Sequence, residues 1–146
     1  MKTMFLFLIL CFSQACMAGS TSGYACTHLQ VTIKNNTANT CYLLTEELSS
    51  GIFSPAHDIT FKIPAGSESK PVDIEQSDIL FGVALELVYE CGEGYYIRLY
   101  SQKNECGNIN KTNAAVLHTA NLTGTFQANL ANYWTNMPAV VNWTIQ

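Results

Sequence analysis

Apolar and polar side chains alternate one by one along most of this chain, the period of a strand with one dry and one wet face. Across residues 28–34 the apolar set is Leu29, Val31 and Ile33, with Gln30, Thr32 and Lys34 between them. Asn35-Asn36-Thr37 marks a turn, and residues 41–46 can carry the chain back. Ser49-Ser50-Gly51 interrupts the pattern, which leaves Phe53, Pro55 and His57 in a loop. Ile59, Phe61 and Ile63 then alternate with Thr60 and Lys62 before a turn at Pro64-Ala65-Gly66-Ser67.

A longer alternating stretch follows. Ile79, Phe81, Val83, Leu85, Leu87 and Tyr89 share one face, and Leu80, Gly82, Ala84, Glu86, Val88 and Glu90 share the other. Helix formers occur in this stretch, but the strict separation of faces and the Gly92-Glu93-Gly94 turn favour a strand. Residues 95–101 run back, with Tyr95, Ile97 and Leu99 inward and Tyr96, Arg98 and Tyr100 outward. Residues 102–114 are polar and read as a surface loop. Residues 117–122 and 125–130 are two further short strands, and Val141, Trp143 and Ile145 face inward from a last one. Seven to eight short strands without a long amphipathic helix predict an all-β, antiparallel β-sandwich.

The first residues break this pattern. Met1 and Lys2 precede an unbroken apolar run over residues 4–12, shorter than the roughly 20 residues a membrane-spanning helix needs. Cys16-Met17-Ala18 then offers small side chains before a cut. This is the layout of a secretory signal peptide over residues 1–18. Residues 19–25 read as a loose leader and residues 26–146 as a single domain, about 128 residues after cleavage and large enough to bury a core. The expected location is secreted or extracellular, through the periplasm if the source is bacterial.

Export changes the meaning of the cysteines. Of six, Cys11 and Cys16 leave with the signal; Cys26, Cys41, Cys91 and Cys106 remain and read as two disulfides. A pair of hairpin strands meeting near Cys91 disfavours sequential pairing and points to long-range pairs. Neither a C-x-x-C pair nor a nearby histidine pair suggests a metal. Charge excludes another class of partner. Seven Lys plus Arg face eleven Asp plus Glu, and the basic residues are scattered, unlike those of a nucleic-acid binder.

Catalytic chemistry finds little support. His28, His57 and His118 are far apart in sequence, and no nucleophile, phosphate-loop or cofactor motif is present. Glu86 and Glu90 on one strand face would stand about 13 Å apart, beyond glycosidase spacing. Aromatic residues are the richer set. Tyr96, Tyr100, Tyr133 and Trp134 remain for a surface once alternation has assigned Tyr95 and Trp143 inward, and Arg98 lies between two of the tyrosines. Such a set suits a sugar, a lipid head group or a carboxylate. Sequons at Asn35, Asn110 and Asn121 are candidate glycan sites if the source is eukaryotic; Asn142, inside a strand, is a poorer acceptor.

Val31-Thr32-Ile33-Lys34-Asn35-Asn36-Thr37, Ile63-Pro64-Ala65-Gly66-Ser67, the strand from Gly82 to Tyr89 and Cys106-Gly107-Asn108-Ile109-Asn110 together resemble the aegerolysins and related small cytolysin-like β-sandwiches. The resemblance spans about residues 29–110. It implies a fold that binds membrane lipids, in some members with a larger partner that makes pores. The cysteines and the signal peptide depart from that family, and its tryptophan-rich segments are missing, so no lipid specificity follows. The expectation is a non-enzymatic, cofactor-free protein that engages a membrane lipid or glycan surface, in a toxin-like manner. A protein-binding effector or inhibitor is the first alternative and a small secreted hydrolase the second.

Overall fold

The alternation becomes strands nearly throughout. The computed structural model describes residues 23–54, 59–78, 80–105 and 110–146. One helical turn, α1 (Tyr24–Thr27), precedes β1 (His28–Asn35), β2 (Cys41–Ser50), β3 (Ile52–Phe53), β4 (Lys62–Ile63) and β5 (Val72–Glu75). Then come β6 (Val83–Glu90), β7 (Tyr96–Lys103), β8 (Thr112–Ala120), β9 (Gly124–Asn129) and β10 (Ala139–Ile145). Two five-stranded sheets result, ordered β3-β5-β1-β10-β9 (sheet A) and β4-β2-β6-β7-β8 (sheet B).

The inner faces of the two sheets make the core. Sheet A contributes Leu29, Val31, Ile33, Ile74, Val141, Trp143 and Ile145, and sheet B contributes Ile63, Leu85, Leu87, Tyr89, Ile97 and Leu99. Trp143, buried as expected, donates its indole N–H across the core to Ser101 Oγ at 2.9 Å. Tyr89 reaches from sheet B to donate its hydroxyl to the Thr60 carbonyl at 3.0 Å. The polar ends of these two large buried rings thus find partners, as the cost of leaving them unpaired requires.

Several expectations are corrected. The described strands number ten where about seven to eight were expected, because the short Ile52–Phe53 and Val72–Glu75 are additional strands. The sheets are not wholly antiparallel, since β10 pairs with β1 in parallel, Val31 opposite Val141. A period of two is the same in both ladders, so alternation carries no orientation. The polar stretch 102–114 is not one loop: β7 runs to Lys103 and β8 starts at Thr112. Tyr95 is not inward but 43% exposed, since it precedes β7 in the turn that its N–H closes onto the Gly92 carbonyl at 2.9 Å. Phe81 is 63% exposed because β6 begins only at Val83. A Cβ on Gly82 would stand 2.1 Å from the Lys103 carbonyl oxygen, a backbone approach that only glycine permits. Ile79, Pro55 and His57 lie outside the described residues.

Cys41 and Cys91 form a disulfide that closes a separation of 50 residues, with Cα atoms 3.9 Å apart. Sequential pairing is thereby excluded. Of the two expected disulfides this is the one shown; Cys26 is itself disulfide-bonded, and Cys106 lies outside the described residues. Tyr24 and Ala25, read from the sequence as the end of a leader, belong to α1, and Ala25 is buried in the core. Residues 1–22, which include the expected signal peptide with Cys11 and Cys16, lie outside the described residues.

Candidate functional site

The strands give the sandwich two ends. β1, β6, β8 and β10 start at the end where α1 sits, and all four finish at the other. Residues 51, 76–78, 80–82, 104–105, 110 and 130–138 gather at the first end. Gln76 N–H donates to the Thr27 carbonyl at 2.8 Å, Ala25 N–H to Asn136 Oδ1 at 3.0 Å, and Asn110 Nδ2 to the Ala131 carbonyl at 2.7 Å. At this end Leu80 is 71% exposed, and Ile52, Phe81, Leu130, Tyr133 and Met137 are exposed with it. Trp134 is 99% exposed.

The loop that carries Trp134 is ordered by its own hydrogen bonds. Asn132 and Met137 exchange both backbone bonds, at 2.9 and 3.0 Å. Asn132 Oδ1 accepts from the N–H groups of Trp134 at 3.0 Å and Thr135 at 3.2 Å. Asn136 takes a left-handed conformation, φ 53°, which asparagine tolerates better than most residues. Its side chain then ties the loop to α1. A large ring is thus held in water by a structured backbone, with nothing in the described fold covering it.

The floor of this end is polar and tightly bonded. Lys103, only 1% exposed, donates its ammonium to the carbonyls of Cys26 and Asn104, and burial lowers its pKa below the usual lysine value while Glu105 opposes that shift. Tyr24 donates to Asp73 Oδ2 at 2.5 Å and accepts from Gln30 Nε2 at 2.9 Å. Burial and Asp73 push the Tyr24 hydroxyl up to about 12. Its ring stacks at 4.0 Å on His28. These contacts fasten α1 to β1, β5 and β7 and so position the loops around it.

The five aromatic and basic residues picked from the sequence are not brought together. Tyr96, Arg98 and Tyr100 share the outer face of sheet B, while Tyr133 and Trp134 occupy the loop end. Tyr96 starts β7 and Lys103 ends it, so Tyr96 stands about 23 Å from that end at the usual strand rise. Arg98 is neutralised by Glu86, 2.5 Å away, which with Glu47 raises its pKa above the ordinary arginine value. Tyr96 shares a 2.8 Å hydrogen bond with His118 Nε2.

The sequons and histidines are placed as follows. Asn35 is fully buried and its amide donates to the Asn39 and Ile63 carbonyls, at 2.7 and 2.9 Å. The Asn110 amide is engaged by Ala131, whereas Asn121 is exposed in the turn after β8. His28 Nδ1 meets Thr27 Oγ1 at 2.8 Å and its Nε2 is 3.9 Å from Glu75, beyond hydrogen-bond reach. Among the described residues no group of three or more His, Cys, Asp or Glu side chains is placed to hold a metal ion. No described helix is long and apolar enough to cross a membrane.

Phe81 reads as core from its alternating stretch, Leu80 shares the outer face of that stretch, and Leu130 and Met137 carry no signal of their own, so none of the four stands out as a surface candidate. A usable signal was present: from residue 112 to the C-terminus there is no Asp, Glu, Lys or Arg. All the formal charge sits in the first 111 residues. Trp134 and its loop therefore meet water without a charged residue of their own.

No protein-family profile matches the chain, and no curated protein matches it. Solved structures do. The lipid binding protein Nakanori aligns with a TM-score of 0.63 and 14% identity, over 82% of this chain and 71% of that one. RahU, solved in complex with a Tris molecule, aligns at 0.58 and 14% identity over 83% and 95%. IP-1A from Alcaligenes faecalis aligns at 0.57 and 14% identity over 86% and 94%. At this identity the likeness establishes the fold and leaves the site residues to be argued from this chain.

Proposed function

We propose that this is a secreted, non-enzymatic protein that binds a membrane lipid surface through its loop end, with Trp134 as the leading anchor. The observation that carries the reading is a fully exposed tryptophan on a hydrogen-bonded, charge-free loop, beside exposed Leu80, Phe81, Tyr133 and Met137. Tryptophan and tyrosine prefer the membrane–water interface, where the ring leaves water and its polar edge keeps a partner. The fold likeness to a lipid binding protein and the sequence resemblance to aegerolysins support the same direction. Export through a signal peptide at residues 1–18 suits a chain that holds a disulfide. The Tyr96–Arg98–Tyr100 strand is not part of this surface, and Arg98 is already engaged by Glu86.

Tryptophan emission tests the reading directly, because Trp143 is buried and Trp134 is not. The mature protein is mixed with vesicles of phosphatidylcholine, sphingomyelin, phosphatidylethanolamine or phosphatidylserine, each with and without sterol. A blue shift and co-sedimentation with at least one composition are expected. Trp134→Ala should weaken binding about tenfold or more, since moving one large apolar side chain out of water is worth roughly 1.5–3 kcal/mol. It should leave the melting temperature unchanged. Absence of both signals on every composition, or binding indifferent to Trp134→Ala and Phe81→Ala together, would refute the reading and turn attention to a protein partner.

A further inference from the structure

The opposite end of the molecule carries a second arrangement that membrane docking does not use. On the outer face of sheet B, Tyr42 stands opposite Glu90, and Glu90 stands opposite Tyr96. Neighbouring strands are about 4.8 Å apart, so two tyrosines flank one carboxylate in a row about 10 Å wide. Beside the row a shallow cleft of about 490 Å³ opens, lined by Asn39, Thr40, Tyr42, Glu90, Gly92 and Glu93.

The Tyr42 ring is held in place, while the carboxylates of Glu90 and Glu93 have no partner among the described residues. Phe61 meets the edge of the Tyr42 ring at 6.1 Å, and Lys62 stands 5.9 Å from its centroid. Tyr96 is fixed by its bond to His118. Gly92 has φ 120°, and a Cβ there would stand 2.9 Å from Asn39 Nδ2, so the glycine keeps this wall of the cleft open. Among the described residues the side chains of Glu90 and Glu93 and the Tyr42 hydroxyl make no hydrogen bond or ion pair.

The chemistry narrows the ligand. Ionised carboxylates only accept hydrogen bonds, so the ligand must bring several donors. Tyrosine faces take C–H-rich surfaces. The lining carries two carboxylates and no basic residue, Lys62 stands beside it over the Tyr42 ring, and the chain is net acidic, which disfavours anions. A neutral molecule with many hydroxyls and an apolar ring face meets all three conditions. We propose that this cleft is a saccharide-binding site, with Glu90 and Glu93 accepting from sugar hydroxyls and Tyr42 supplying the stacking face. The site is separated from Trp134 by the length of the sandwich, so a sugar held here would point away from a bilayer gripped by the loop end.

A glycan array probed with labelled mature protein, followed by calorimetry with the best soluble oligosaccharide, tests this. Neutral glycans are expected to bind, and Glu90→Gln, which keeps the shape of the side chain, should weaken binding about tenfold or more by removing a charged acceptor. Tyr42→Ala should do the same, and if its melting temperature falls, Glu90→Gln decides alone. Trp134→Ala should bind sugar as the wild type does. Vesicles bearing neutral glycolipids, compared with the soluble sugar, show whether the saccharide comes from a lipid head group or from a free glycan; either source supports the site. No binding at millimolar sugar, binding unaffected by Glu90→Gln, or binding only of simple amines would overturn it. Vesicle binding lost in Trp134→Ala but kept in Glu90→Gln separates the failure of this site from that of the membrane surface.

Discussion

The two ends of the sandwich solve opposite problems. At the end formed by loops 35–40, 64–67, 92–94 and 121–123, side chains serve the backbone. Asn35 donates to two carbonyls while its Oδ1 accepts from Thr37 N–H at 2.9 Å and Thr37 Oγ1 at 2.8 Å. Asn35 also exchanges backbone bonds with Gly66 and Ser67, and the Cys41–Cys91 disulfide lies at the same end. At the other end side chains tie the backbone as well, but around an exposed ring. Asn132 and Asn136 shape a loop whose main product is an uncovered tryptophan. The disulfide lies at the first end, and the two most exposed large apolar side chains, Trp134 and Leu80, lie at the second, while Tyr42, Phe61 and Tyr95 are partly exposed at the first. A fold does not keep such surface in water for its own stability, which is why the loop end carries the functional proposal.

That contrast can be broken or sharpened by substitution. The largest loss of stability is expected from replacing Cys41 and Cys91 together by alanine, about 3–4 kcal/mol for a closed loop of this length. Denaturant unfolding measures it; an equal loss from Trp134→Ala would break the contrast between the ends. Asn35→Ala comes next, at about 2–3 kcal/mol, because it strands buried carbonyl and N–H groups that water cannot reach. Vesicle binding by the surviving folded Asn35→Ala protein should match the wild type.

A smaller effect separates α1 from the strands it fastens. The Tyr24 pKa is raised from 10.0 to about 12 in the folded chain. Between those values the unfolded chain has released the phenol proton and the folded chain has not, so folding stability falls as pH rises. Below pH 10 that contribution is fully present. Thermal melts from pH 9 to 12 should therefore fall more steeply for the wild type than for Tyr24→Phe; parallel curves would show that the Tyr24–Asp73 bond does not persist in solution. Lys103 acts in the opposite sense below its unfolded value, since its folded pKa is lowered, and is common to both proteins. The smallest effect is expected for Arg98→Ala. Glu47 and Glu86 face each other across β2 and β6, and Arg98 screens them from the surface. A slight drop in melting temperature at low salt should vanish at high salt.

How much of this was legible in the sequence depends on what each residue had to signal. Val31, Leu85, Leu87, Ile97, Val141 and Trp143 announced their faces by alternation, since a sheet with one dry side imposes that pattern. The turns at 64–67 and 92–94 were readable because Gly66, Gly92 and Gly94 occupy left-handed backbone that other residues avoid. Lys103 was hidden because a lysine reads as surface, although it continues the inward series Ile97, Leu99, Ser101. Trp134 was legible as a candidate from its type. The exposure of Phe81 at the same end was not, because the same apolar residue looks alike whether a strand continues beneath it or has just ended.

Alone, then, the order of residues determined an all-β chain of short strands and which side chains could fill its interior, because the two-residue period is a local property of the backbone. Tertiary structure decided which strands became neighbours, that the first and last run side by side in the same direction, and which cysteine reaches Cys91. It also decided that Trp134 and Tyr96 belong to opposite ends. Those outcomes depend on contacts between residues far apart in the chain, and no local period encodes them.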